Sequence, residues 1–246
     1  MKYMGSKSRI KKHIIPILQD IINKNNITSF VDLFCGGCNI IDDIICYKRY
    51  ANDKSKPLIA LLKHVSQNGR LLSQVSKDVY DYIRKNDKNP DIYDWIKGNI
   101  GFLASYNGRY FDGGYAKSGY ENGKLRDYYQ ESKKNLELQS NKLKGVIFTD
   151  FDYSEFKGKN MLVYCDIPYK NTKQYNTSKD FNHDDFWEHA RNWSKNNIVV
   201  ISELQAPDDF VCIWKQEVTR SIKANDKTKS MEKLFIHNTL INYLNK

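Results

Sequence analysis

The sequence predicts an α/β fold: a mixed, mostly parallel sheet that ends in a C-terminal antiparallel hairpin, with a helical subdomain inserted into it. Three observations point there. Short apolar runs break off at an acid, a glycine turn or a proline, as parallel strands do where they reach a ligand crevice. Helical spacing alternates with those runs toward both ends of the chain. Between them, residues 57–144 turn polar and helical with no strong strand run, which divides the chain into a core of 1–56 and 145–246 and an insertion of 57–144.

Lys2-Tyr3-Met4-Gly5-Ser6-Lys7-Ser8-Arg9 is a basic, glycine-broken lead-in to an amphipathic helix whose Ile10, Ile14, Ile17, Leu18 and Ile21 share a face. A helix start with Lys7 beside it suits an anion, although taken alone an ordinary solvated terminus is the favoured reading. Residues 27–34 read as the first strand. It ends in Cys35-Gly36-Gly37-Cys38-Asn39, and an apolar helix is expected over 40–47. Strand, glycine turn and helix let backbone approach a nucleotide-like ligand closely, although the third glycine of the dinucleotide fingerprint is missing. Tyr50-Ala51-Asn52-Asp53 then ends a second strand in an acid, at the distance downstream where a ribose diol is usually gripped. Together the two strand ends point to a nucleoside cofactor.

Within the insertion, Leu58, Leu61, Leu62 and Val65 form one apolar stripe, Val79, Tyr82 and Ile83 a second, and Ile92, Trp95, Ile96, Ile100 and Leu103 a third. Before a helix expected over 125–143 lies a glycine-punctuated loop, 106–117, crowded with aromatic and basic side chains. Strands resume with 146–151, ending at Asp150 and Phe151, and with 160–165, which runs into Asp166-Ile167-Pro168-Tyr169. An acid, a stiffened backbone and a ring at a strand end can hydrogen-bond an amino group and stack on a flat ring, as a nucleobase requires. The same tetrapeptide also suits a plain turn with a capping Asp. A basic loop over 170–179, with Tyr175 in it, reads as a lid. A helix over 182–195, a strand over 198–203, and strands over 211–218 and 234–241 joined by the basic segment 223–229 complete the pattern.

The formal charge is +10 and the pI about 9.2, which favours a polyanionic partner. Seventeen tyrosines interleave with that charge in a way that suits nucleic acid better than membrane, although most of the rings belong to the core. No apolar run approaches the roughly 18 residues of a membrane span, so a soluble, intracellular protein is expected. Cys35, Cys38, Cys46, Cys165 and Cys212 are expected as free thiols, and the lone Cys35-x-x-Cys38 pair gives no reason to expect a metal.

In order along the chain, Tyr3-x-Gly5-x-Lys7, Asp32-x-Phe34-x-Gly36, Asn52-Asp53, Asp150-Phe151 and Asp166-x-Pro168-Tyr169 resemble the motifs of the adenine-N6 DNA methyltransferases of the Dam-like D12 class, especially short phage-borne members. The insertion stands where that family carries its target recognition domain. The resemblance implies a Rossmann-like methyltransferase core that uses S-adenosylmethionine to methylate a flipped-out adenine in double-stranded DNA. It also implies a cytoplasmic enzyme of the restriction-modification kind, with neither metal nor membrane, and leaves open whether it works as a monomer and whether a partner nuclease exists. Tyr3, Lys7, Asp32, Phe34, Gly36, Asp53, Asp150, Phe151 and Asp166 would surround the cofactor, with Asp53 on the ribose hydroxyls and Asp150 and Phe151 beside the adenine. Lys2 would touch DNA, and Asn107, Arg109, Tyr110 and Lys117 would belong to the recognition surface. Asp166 and the Ile167 carbonyl would accept the target amine, with Pro168 as brace and Tyr169 as stacking platform.

Two positions depart from the family. Ile167 replaces a usual proline, as in rRNA adenine dimethylases, which resemble this stretch with Asn-Ile/Leu-Pro-Tyr, and Cys38 replaces a usual glycine. An RNA adenine methyltransferase is the alternative with the same pocket, though the place of the insertion disfavours it. A cytosine-N4 enzyme fits the opening Asp less well. A non-catalytic DNA-binding protein that keeps the fold is the alternative from another class, and cofactor binding separates it from the enzymes.

Overall fold

The computed structural model describes residues 1–121, 123–169, 181–223 and 226–244. In chain order its elements are α1 (Lys11–Lys24), β1 (Ser29–Asp32), β2 (Lys48–Asn52), α2 (Lys56–Ser66), α3 (Lys77–Lys85), α4 (Asp94–Gly98), β3 (Gly119–Glu121), β4 (Lys124–Arg126), α5 (Tyr128–Ser140), β5 (Val146–Thr149), β6 (Leu162–Asp166), α6 (His183–Trp193), β7 (Ile198–Glu203), β8 (Phe210–Lys223) and β9 (Asp226–His237).

Among the described residues the main sheet has seven strands in the order β5-β2-β1-β6-β7-β9-β8. The run from β5 to β7 is parallel, and β9 pairs antiparallel with both β7 and β8. β6 and β7 read as unbroken apolar runs because both their faces are covered. One face packs on α1, α2 and α5 through residues such as Leu18, Leu61, Leu136, Leu162 and Leu234. The other packs on α6 through Phe186, Trp187 and Trp193. From β1 the chain winds outward through β2 to β5, then returns to β6 on the other side of β1. That reversal leaves a crevice beyond the C-terminal ends of β1 and β6, where ligands of open α/β sheets bind.

Several elements differ from expectation. The helix expected over 40–47 is a single 3-10 turn, Ile41–Asp43. Its β-branched residues favour helix poorly. Ile44 is extended, and the Gln19 side chain bonds both the N–H and the carbonyl of Ile45 at 2.9 and 3.0 Å, which fixes the chain outside a helix. Leu125 and Arg126, expected within a helix, lie instead in β4, which pairs with Gly119–Glu121 as a small hairpin. Asp127 caps α5 by accepting from the Gln130 N–H at 3.0 Å, so the helix begins after it. The final strand ends at His237, whose ring caps the 3-10 segment Asn238–Tyr243. Most of 223–229 lies in the β8–β9 hairpin and is not a linker between two short strands. The lid expected over 170–179, with Tyr175, lies outside the described residues.

Candidate active site

The first wall of the crevice is the glycine turn after β1. Gly36 and Cys38 take positive φ, +46° and +56°, and the Cys38 N–H closes the turn on the Cys35 carbonyl at 2.8 Å. Positive φ is strained for any residue with a Cβ, which explains why glycine is usual at the Cys38 position. A Cβ on Gly36 would lie 2.7 Å from the Tyr3 ring, so the lead-in packs directly on the turn. Asp53 braces it from β2, accepting the Gly36 N–H at 3.0 Å and the Ser55 N–H at 2.9 Å. Burial pushes the Asp53 carboxyl up, against the pull of those two bonds. All five cysteines are free, and burial raises the Cys35 and Cys38 thiols.

Asp32, at the end of β1, is 2 % exposed, and its Oδ1 has no hydrogen-bond partner. Burial first, then the charges of Asp166 and Asp53, raises its carboxyl well above the usual range. Asn52 was legible only as half of a motif, yet it ties three strand ends together. Its amide donates to the Leu33 and Phe151 carbonyls at 3.2 and 3.0 Å, and its side-chain oxygen accepts from Thr149 Oγ1 and the Phe151 N–H at 2.9 and 3.2 Å. Phe151 is thereby fixed, half-buried, beside exposed Asp150. Phe34 closes this side in an aromatic group with Tyr153, Phe181 and Phe186 at centroid distances of 5.6–5.9 Å.

The second wall is built on Asp166. Strand register sets it level with Ser202 of β7, and its side chain is 20 % exposed. Lys7, expected beside a helix start open to an anion, is instead buried: its Nζ lies 2.9 Å from Asp166 Oδ1 and 3.3 Å from Glu232 Oε2. Burial opposes that charge, yet Asp166 and Glu232 more than offset it and raise the Lys7 pKa above the lysine range. Nor is Tyr169 the exposed ring that the sequence suggests. It is 8 % exposed, because its hydroxyl is drawn inward to Lys7, Glu232 and, at 3.1 Å, Ser202 Oγ. Ile167 is buried at 2 % exposure. Glu232 was not singled out from the sequence. No motif surrounds it, and only the pairing of β9 beside β7 brings it to the crevice.

The lead-in also packs against the segment around Gly108. Gly108 sits so close to Lys2 that a Cβ there would lie 2.4 Å from the Lys2 carbonyl oxygen. Lys2, Tyr106, Asn107, Arg126 and Tyr128 line a polar recess of about 170 Å³. Lys2 Nζ and the Arg126 guanidinium lie 5.8 and 5.0 Å from the Tyr128 ring centroid. Asn107 and Lys117 are exposed, and Arg109 rests on the Met4 sulfur. Tyr110 faces inward, its hydroxyl on Asp87 and its ring 4.8 Å from that of Phe102. On the hairpin, Tyr120 and Leu125 stand directly opposite each other, 79 % and 64 % exposed. Among the described residues no cluster of His, Cys, Asp or Glu is arranged to hold a metal, and no helix is long and apolar enough to cross a membrane.

The family described as D12 class N6 adenine-specific DNA methyltransferase matches residues 3–234. The modification methylase StsI of Streptococcus sanguinis is 25 % identical over 203 residues, which are 73 % of this chain and 30 % of that protein. The chain therefore spans less than a third of that relative's length.

Proposed function

We propose that this chain, which belongs to the D12 class N6 adenine-specific DNA methyltransferase family, moves a methyl group from S-adenosylmethionine to the amino group of an adenine flipped out of duplex DNA. The observation that carries this reading is the placement of Asp166. It is a carboxylate at the end of β6, the strand beside β1 and its glycine turn, and it shares the Lys7 ammonium with the Tyr169 ring.

The residues of the first wall fit the cofactor. The unpartnered Asp32 oxygen suits an ammonium donor such as that of a methionine moiety. Asp53 has acceptor capacity left for ribose hydroxyls. The close-packed Gly36 leaves backbone facing the crevice where a side chain has no room. Phe34, Asp150 and Phe151 supply the apolar wall and rim against which an adenine ring would lie. When bound, the cofactor supplies an electrophilic sulfonium methyl.

The chain's own part is positioning and electrostatics. Asp166 and the Ile167 carbonyl accept the two N–H bonds of the amine, which draws its lone pair out of conjugation and aims it across the crevice. Pro168 stiffens the carbonyl before it, and Tyr169 offers its ring to the extruded base. Target recognition belongs to 57–144 together with Lys2. The recess at Asn107 and Arg126, exposed Lys117 and the Tyr120–Leu125 pair provide charge, hydrogen bonding and apolar surface. Arg109, resting on the Met4 sulfur, adds charge to the same loop, whereas inward-facing Tyr110 supports it. The likeness to the modification methylase StsI supports a modification role, in which the methyl mark labels DNA.

The test is methylation-aware sequencing of DNA from cells that express the chain or its Asp166→Ala variant. We expect N6-methyladenine at one recurring short sequence with the parent chain and none with the variant, while calorimetry shows cofactor affinity kept. Marks that persist in the variant would sink the assignment.

A further inference from the structure

We propose that Glu232 is a positioning residue for this reaction, the carboxylate that receives the Lys7 ammonium when the target amine takes its place on Asp166. The inference rests on the reading of Asp166 given above and adds a residue and a movement to it.

Lys7 occupies the very position that the amine needs. Its Nζ donates toward Asp166 Oδ1 at 2.9 Å and lies 4.3 Å from the Tyr169 ring centroid, so it is a nitrogen donor on the same acceptor and beside the same ring. An ammonium is a stronger donor than a neutral amine, and a carboxylate neutralised by it pulls less on any second donor. While the pair holds, Asp166 is a poor acceptor for the base.

Glu232 supplies somewhere for the ammonium to go. Its Oε2 already lies 3.3 Å from Nζ, and the residue is 5 % exposed, so the transfer needs no excursion into solvent. Without it, an ammonium leaving Asp166 would be a buried charge short of a counter-ion, which is strongly disfavoured. The framework for the exchange is fixed. Leu234 pairs with Ser202, Ser202 pairs with Asp166, and Glu232 precedes Leu234 by two residues on the same face of β9. The Tyr169 hydroxyl bridges Lys7 and Glu232, which keeps the two termini of the swing in contact with the ring.

The test measures single-turnover methylation of a duplex carrying the site found by sequencing. Glu232→Gln should lower the rate by about tenfold or more at saturating cofactor and DNA while both affinities stay within about twofold. Adding Lys7→Met to that variant removes the competing ammonium and should raise the rate, at saturating cofactor, above that of Glu232→Gln alone. A merely structural Glu232 would give a double variant no better than the single one, and that result, or an unchanged rate in Glu232→Gln, overturns the proposal. A second measurement needs no variant. The 15N signal of Lys7 Nζ should shift when the parent chain with S-adenosylhomocysteine binds the target duplex, and should not shift when purine, which lacks the amine, replaces the target adenine. Equal responses to both duplexes also overturn it. If the parent chain transfers no methyl at all, the functional reading itself fails.

Discussion

At the scale of single residues, Asn52 and Asp32 show how the crevice is held and how it is charged. Asn52→Ala would leave the Leu33 and Phe151 carbonyls and the Phe151 N–H short of partners, a loss of about 2–4 kcal/mol. Denaturant unfolding should show a lower midpoint with an unchanged slope. Asp32 gives a pH dependence. Its raised pKa means that the folded chain keeps a proton where the unfolded chain has lost one, so stability falls as pH rises from the ordinary carboxylate range through the raised value. A cofactor ammonium prefers the ionised form. S-adenosylmethionine affinity should therefore rise across that same interval in the parent chain, and be weaker and flatter in Asp32→Asn, as followed by calorimetry in buffers of different ionisation heat. Asp53 and Asp166 stand out in the sequence as acids at strand ends, whereas Asp32, inside its strand, stands out only through the resemblance of its motif. The inward turn of Tyr169 was not, since its causes, Lys7 and Glu232, lie 162 residues before it and 63 after it.

Among the elements, legibility followed the strength of the local pattern. β7 forms over the span that its apolar run predicts, 198–203, because a strand buried on both faces has one distinctive signature. The turn at Ile41–Asp43 was hidden because its geometry is set from outside by Gln19, which no local pattern records. The β3–β4 hairpin was hidden because three-residue strands carry too few side chains to show alternation. That hairpin presents the exposed Tyr120–Leu125 pair, and its chemistry can be separated from its folding. Replacing both residues by Ser should change stability by no more than about 0.5 kcal/mol, because neither is buried. If the hairpin reads the target, the same double variant weakens binding to the target duplex in filter-binding or anisotropy measurements at fixed salt. Unchanged affinity would remove the hairpin from the recognition surface.

The molecule as a whole is a basic body of charge +10 with its crevice on one edge of a twisted sheet. Binding to duplex DNA should weaken steeply with salt, by about 0.9 in logarithmic slope for each phosphate neutralised. Replacing Lys2 and Lys117 by Ser should flatten that slope by about 2 if each meets a phosphate. The sheet order was legible only in part. The parallel strands announced themselves, but nothing in the sequence says that β9 inserts between β7 and β8, and that insertion delivers Glu232. Its consequence is one of timing. At roughly 5–20 residues per second, Glu232 leaves the ribosome about 3–13 s after Tyr169. For that interval a nascent chain holds Asp166, Tyr169 and Lys7 with no carboxylate to receive the ammonium. If the exchange is required for turnover, a chain still being made from its message is silent toward nearby DNA, and activity begins only when synthesis of the sheet is complete.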